Sequence, residues 1–319
     1  MPHAKKASVV TSIYMNVTNS WHAYAAHPWG HTVVGDVRTL DNIYSPELRN
    51  QRKLYVYLPP SYGHSERHYP VIYMQDGQNL FDQALSYAGE WQVDETMEVL
   101  SREGIEAIVV GVPNAGVRRI DEYGPFKDLR LRKGGRGDWY VAFLANTVKP
   151  LIDRDFRTRP EREHTGVLGS SMGGLISLYA LFCRPEVFGF AGAMSPSLWF
   201  AHEAIFPYVQ QADAQLGRIH LDIGTHEGSD TRASDGAVST YMSRYMAAAH
   251  RMRDLLERKG YRLGHDLQYQ EEAEATHSEA AWARRLPDAL RFLLARYQRP
   301  AEHLVRSSEP ESGEPWWEF

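Results

Sequence analysis

The chain has 319 residues, 43% hydrophobic and 24% charged, proportions of a globular protein that exclude global disorder and fibrous repeats. Its 35 Lys and Arg against 40 Asp and Glu leave a formal charge of −5. That gives no electrostatic footprint for nucleic acid or an anionic membrane surface, and the basic run from Arg130 to Arg136 is too short to reverse it.

Residues 1–30 read as an N-terminal extension. Lys5 and Lys6 precede a moderately apolar stretch, but Thr11, Ser12, Asn16, Thr18, Asn19 and Ser20 interrupt it. It therefore lacks the continuous core of a signal peptide, and a cytoplasmic location is expected. No stretch approaches the roughly 20 apolar residues of a membrane helix.

Between residues 31 and 298, short apolar runs alternate with helix-period segments. Strands are expected at 53–58, 70–74, 107–112, 164–168, 189–194, 218–223 and 266–271. Helices are expected at 93–101, 139–152, 174–182 and 240–259, with a last one opening at Pro287 and running to Tyr297. Within 240–259, Tyr241, Tyr245, Met246, Ala249, Met252 and Leu256 follow helical spacing and form an apolar stripe. This alternation predicts one α/β domain, a mostly parallel sheet with helices on both faces and an antiparallel N-terminal edge starting from 53–60. From Arg299 the chain turns to Pro, Ser and Glu, a polar tail with no fixed fold of its own and a Trp316-Trp317 pair near its end.

Cys183 is the single cysteine, so an intramolecular disulfide and a Cys-rich zinc site are both excluded. It reads as a small buried side chain on a helix. His27 and His31 lack nearby carboxylates and helical spacing, so no metal is expected there, and no cofactor elsewhere.

The segment from Arg162 to Leu178 carries the chemistry. An apolar strand runs into Gly169-Ser170-Ser171-Met172-Gly173, which matches G-x-S-x-G, and a helix follows at once. That context is what a nucleophile elbow requires: glycines permit the sharp turn, and the serine hydroxyl stands at a helix N-terminus. Ser171 is the candidate nucleophile. Its base should follow in the chain, and His277 lies in the loop after the last strand, whereas His220 falls within a strand, His250 on a helix and His303 in the tail. The acid should come from the loop after the strand at 218–223; Glu227 is preferred, with Asp222 and Asp230 open. Two convergent backbone donors are needed for an oxyanion. The N–H of Met172 supplies one, and the turn after the strand at 70–74, through Gly77, points to the N–H of Gln78 as the other.

A resemblance joins these pieces. VYLPPSY at 56–62, PVIYMQDGQNLFD at 70–82, EWQVDE at 90–95, LGSSMGGLISLYAL at 168–181, MSPSLWF at 194–200 and LDIGTHEG at 221–228 resemble the putative-esterase family. That family groups esterase D, the enterochelin-type esterases and the feruloyl and acetyl-xylan esterases of carbohydrate esterase family one. The resemblance implies an α/β-hydrolase fold and a serine carboxylesterase mechanism, with Ser171 as nucleophile, His277 as base and Glu227 as acid. Where some members carry a histidine before the oxyanion-loop glycine, this chain has Asp76.

Trp91, Tyr123, Trp199 and Phe200 are candidates for an aromatic wall of a substrate pocket. Arg119 either binds a substrate carboxylate or pairs with Glu122, the second being the simpler. The expected partner is a small-molecule ester with a short acyl or an aromatic acyl group. A siderophore lactone, acyl transfer to an alcohol and an idle binding protein are the competing readings. Whether copies of the chain form a homo-oligomer stays open.

Overall fold

Runs of valine, isoleucine and tyrosine, which fit a pleated and buried surface, become the strands of one sheet. The computed structural model describes residues 20–25, 30–214, 217–227 and 237–295. Residues 1–19, Asp230, His303 and the tail with Trp316 and Trp317 lie outside them.

The strands are β1 (His22–Ala23), β2 (Asp36–Ser45), β3 (Asn50–Leu58), β4 (Val71–Gln75) and β5 (Ile108–Val112). Then come the hairpin β6 (Lys127–Asp128) and β7 (Lys133–Gly134), followed by β8 (Thr165–Ser170), β9 (Phe190–Met194), β10 (Arg218–Gly224) and β11 (Leu267–Glu272). Among the described residues the sheet has nine strands in the order β1-β2-β3-β5-β4-β8-β9-β10-β11. From β5 onward every neighbour is parallel, while β1, β2, β3 and β5 are joined antiparallel.

The helices are α1 (Val93–Arg102), α2 (Arg119–Tyr123), α3 (Gly137–Phe143), α4 (Lys149–Asp155), α5 (Met172–Cys183), a single turn α6 (Phe200–Glu203), α7 (Ile205–Gln211), α8 (Ala237–Arg258) and α9 (Glu279–Leu294). Side chains of the sheet alternate between two cores, as a two-residue period demands. Val71 and Tyr73 pack on one face with Leu175 of α5 and Met252 of α8. Ile72 and Met74 pack on the other with Met97 of α1 and Leu290 of α9. The parallel strands send the loops after β4, β8, β9, β10 and β11 to one edge, where open α/β sheets place their sites.

Three local expectations change. β2 was not anticipated: its burial does not alternate cleanly, and a register shift between Leu40 and Ile43 breaks the period. The helix expected at 139–152 is α3 and α4 joined by a π turn at Leu144–Val148. The last helix opens at Glu279, eight residues before Pro287, which sits inside it. Proline there removes one helical donor at a cost of about 3 kcal/mol, but Trp282, Leu286, Leu290 and Leu293 bury an apolar face that outweighs it. Within the expected extension, Tyr24 N–H bonds to Val37 and Trp21 Nε1–H to Asp155, which fastens this stretch to the domain.

Candidate active site

β8 ends at Ser170 and α5 begins at Met172, so the chain reverses within Ser171. Its backbone has φ 55° and ψ −121°, a conformation that costs a non-glycine residue on the order of 1–3 kcal/mol. The glycines around it are required by contact. A Cβ on Gly169 would come 2.6 Å from Gln75 Cγ and 2.8 Å from the Gly173 carbonyl carbon, and one on Gly174 would come 3.0 Å from Met194 O. Ser171 N–H bonds to Met194 O, at 2.9 Å, and Ser197 N–H to Ser171 O, at 3.0 Å, which tie the turn to the end of β9. Ser171 Oγ lies 3.2 Å from Ser197 Oγ.

His277 stands between β11 and α9, and Glu227 follows the C-terminal end of β10. His277 Nδ1 is 2.9 Å from Glu227 Oε2. The carboxylate is 1% exposed, so its other oxygen must also be satisfied. Gly224 N–H reaches Oε1 at 2.8 Å, and the Ser195 hydroxyl donates to the same oxygen. Gly224 has no room for a side chain, since a Cβ would meet Ala275 O at 2.4 Å. The imidazole is held edge-to-face by Trp282, 4.9 Å away, and by Tyr245 at 5.8 Å.

Of the two described carboxylates open at the acid position, Glu227 is the one that meets His277, while Asp230 lies outside the described residues. Asp222 is fully buried and accepts instead from Ser195 N–H, while His220 and Arg285 lie against it. Among the described residues, Ser171 Oγ is hydrogen-bonded to Ser197 and not to His277.

The loop after β4 turns at Asp76, whose φ is 55°. Its N–H bonds to Tyr123 Oη at 3.0 Å, and its carboxylate receives Arg119 Nε and Nη2 and Asn114 Nδ2, each at 2.7 Å. Arg119 thus pairs with Asp76, not with Glu122, which is buried against Arg52. A near-buried carboxylate beside the turn takes the planar two-point fork that only an arginine offers. The N–H groups of Gln78 and Met172 have no protein acceptor among the described residues. Gly77 lies so close to β5 that a Cβ would come 2.5 Å from the Gly111 carbonyl carbon. Gly77→Ala is therefore expected to push this loop away from the serine and destabilise the chain by about 1–3 kcal/mol. Parallel measurement of melting temperature and ester turnover checks this; an unchanged rate would mean the loop position is immaterial.

The expected aromatic wall is reduced. Trp91 is 3% exposed and Tyr123 0%, and Phe200 is buried as well, because large aromatic rings stabilise most when withdrawn from water. Trp91 backs onto Trp282, the ring that holds His277. Trp199, 37% exposed, remains at the surface, with its Nε1–H donating to Tyr245 Oη at 2.9 Å. The sequence reading missed Ser195, Ser197, Trp282 and Arg285. The signal for the last was present: an arginine interrupts the otherwise apolar face Ala281, Trp282, Leu286, Ala289 and Leu290 of α9.

One acidic cluster has the spacing of cation ligands: Glu90, Asp94 and Glu95 each place a carboxylate oxygen within 4.8 Å of the others. A proton meets the charge there. Burial first, then the hydrogen bond with Glu95, pushes Asp94 up to about 9, so the folded chain carries a proton that the unfolded chain has lost above about pH 4. Stability from this group is complete below its unfolded value and is lost as pH rises through 9. Asp94→Asn should therefore flatten the fall in melting temperature between pH 6 and 9. Parallel curves for variant and wild type would contradict the assignment.

The profile of a family described as "Putative esterase" matches residues 45–293. The chain belongs to that family. It is a carboxylic ester hydrolase. The esterase is 28% identical to the uncharacterised protein YbbA of Bacillus subtilis over 195 residues, 59% of this chain and 74% of that one. It is 29% identical to the siderophore triacetylfusarinine C esterase of Aspergillus fumigatus over 199 residues, 58% of this chain and 66% of that one. An IroE-like serine hydrolase from Shewanella oneidensis matches with a TM-score of 0.64 at 20% identity, covering 83% of this chain and 82% of that one. That likeness shows the α/β-hydrolase fold. No helix among the described residues of the esterase is long and apolar enough to cross a membrane.

Proposed function

We propose that this esterase is a serine hydrolase that works through an acyl-enzyme on small-molecule esters with short acyl or aromatic acyl groups. The observation that carries the reading is the 2.9 Å contact of His277 Nδ1 with the buried Glu227 carboxylate, on the same sheet edge as the strained Ser171 turn. With Nδ1–H given to Glu227, Nε2 is the free nitrogen and can act as a base.

Ser171 Oγ turns from Ser197 toward His277, whose Nε2 takes its proton as Oγ attacks the ester carbonyl carbon. The N–H groups of Gln78 and Met172 receive the resulting oxyanion. Collapse of the tetrahedral intermediate breaks the bond to the alcohol, which leaves with the proton from His277. Water then gives a proton to His277 and adds to the acyl carbon, and the acid departs as Ser171 regains its hydrogen. Glu227 stabilises the imidazolium in both halves. None of these steps calls on a metal or cofactor.

The Aspergillus relative's name favours a siderophore ester as a second reading, and the half-exposed Trp199 beside Tyr245 offers a flat surface to a ring-bearing substrate. Hydrolysis of p-nitrophenyl esters from acetate to octanoate, a feruloyl ester and a siderophore trilactone, with free acid and any transferred ester both assayed, separates the readings. Turnover of short or feruloyl esters to free acid supports the first. Turnover of the trilactone alone supports the second, and accumulation of a new ester would overturn hydrolysis in favour of acyl transfer.

A further inference from the structure

Arg285 lies on α9, two turns after His277, and only 2% of it reaches solvent. A guanidinium is strongly hydrated in the unfolded chain, so its burial demands close partners. It has four. Nη2 lies 2.8 Å from Ser195 Oγ, 3.1 Å from Asp222 Oδ1 and 3.5 Å from Glu227 Oε1, and Nη1 is 3.0 Å from Glu272 Oε2. Burial alone would draw the guanidinium down, but the fields of Asp222 and Glu227 outweigh it and hold it above its ordinary value.

This arrangement reaches the imidazole through one further atom. The Ser195 hydroxyl accepts hydrogen bonds from Arg285 and from Trp282 Nε1, and gives its own hydrogen to Glu227 Oε1. With Oε1 fixed from behind, Oε2 is left facing His277 Nδ1. The same geometry sets a charge balance. Asp222, Glu227 and Glu272 lie around the Arg285 guanidinium, Arg284 Nε meets the other oxygen of Glu272 at 3.0 Å, and the remaining negative excess of Asp222 and Glu227 over Arg285 bears on a ring that must gain and lose a proton. Removing the cation would deepen that excess and stabilise the imidazolium.

We propose that Arg285 is a positioning residue for ester hydrolysis: acting through Ser195 and Glu227, it fixes the orientation of His277 and sets the charge that faces the imidazole. The inference rests on the reading of Ser171 and His277 given above. Other groups face this cluster. His220 lies beside Asp222 on β10, Tyr245 of α8 stands over the imidazole, and Glu279 opens α9 within the field of His277.

The test uses the full chain with Arg285→Met, Arg285→Lys and Ser195→Ala, and reads kcat, KM and the pH profile of kcat/KM for p-nitrophenyl acetate. Arg285→Met is expected to lower kcat at least about tenfold with KM within about twofold, and to move the acid limb of the profile upward by about half to one pH unit. Arg285→Lys keeps the charge without the fork, so its acid limb returns toward that of the wild type while kcat recovers only in part. Ser195→Ala severs the link but leaves the cation, so kcat falls and the limb stays. The Met shift should persist in a Glu279→Gln background if it belongs to His277. An unmoved limb in Arg285→Met, or a lysine variant no better than the methionine one, overturns the proposal. Should Arg285→Met fail to fold, the lysine and Ser195 variants decide it: wild-type kcat in both is the contrary result. Labelling by a fluorophosphonate separates this from the wider reading. If wild-type Ser171 is not modified, the serine mechanism itself has failed; if it is modified and only the profiles disagree, the role of Arg285 has.

Discussion

Ser171→Ala is expected to lower kcat/KM for p-nitrophenyl acetate by about 10⁴- to 10⁶-fold, the range seen when the nucleophile of a serine triad is removed. The loss falls on kcat because Oγ forms a bond in the reaction and contributes little to ground-state binding. The fold should survive. Alanine keeps the Cβ that the turn already accommodates, and among the described residues the hydroxyl lost is hydrogen-bonded only to Ser197 at 3.2 Å, a contact worth about 1 kcal/mol. A melting temperature within a few degrees of the wild type therefore accompanies the lost activity. Turnover near the wild-type rate in a folded variant would remove Ser171 from the mechanism.

The second large effect is expected at Glu227. Glu227→Gln keeps the length and shape of the side chain but replaces an acceptor by a group that can donate. Facing His277 Nδ1, the amide N–H favours the imidazole tautomer with its hydrogen on Nε2, which cannot take the proton of Ser171. A fall of about 10³- to 10⁴-fold in kcat/KM is expected, the size found when the triad carboxylate is neutralised. The melting temperature should fall as well, since Arg285 loses one of the charges that offset its burial. Activity scans together with thermal melts check both parts. A fall in stability without loss of turnover would make Glu227 a structural residue, and Asp222, already occupied by His220 and Arg285, would not be a ready substitute.

The two effects rest on parts of the molecule that differ in how far they can be read from sequence. The G-x-S-x-G turn is local chemistry. An apolar strand, two small residues and a helix start lie in one continuous segment, so Ser171 and the helix after it were legible at once. The position of His277 after the last strand followed from chain order. The parallel strands were also legible, because fully buried strands are continuous apolar runs. β2 was not, since its bulge breaks the period that marks a strand.

What the sequence hid is what distant segments bring together. Arg119 and Glu122 are helix neighbours in sequence, yet Arg119 faces the turn after β4 and Glu122 faces β3. No local pattern distinguishes those partners. Trp91 and Tyr123 looked like pocket aromatics because they sit near motif residues, but packing takes them into the interior. Ser195 and Arg285 are 90 residues apart and meet only behind Glu227. Pro287 misplaced the start of α9 because proline usually opens a helix, while here the apolar face of the helix carries it through.

The most direct test of the account is reaction of the full chain with a fluorophosphonate probe, followed by peptide mapping and an ester-hydrolysis assay at each degree of labelling. The account predicts one adduct, on Ser171, with activity lost in proportion to its formation. Full labelling at Ser171 with activity intact, or activity lost through an adduct elsewhere, would contradict it.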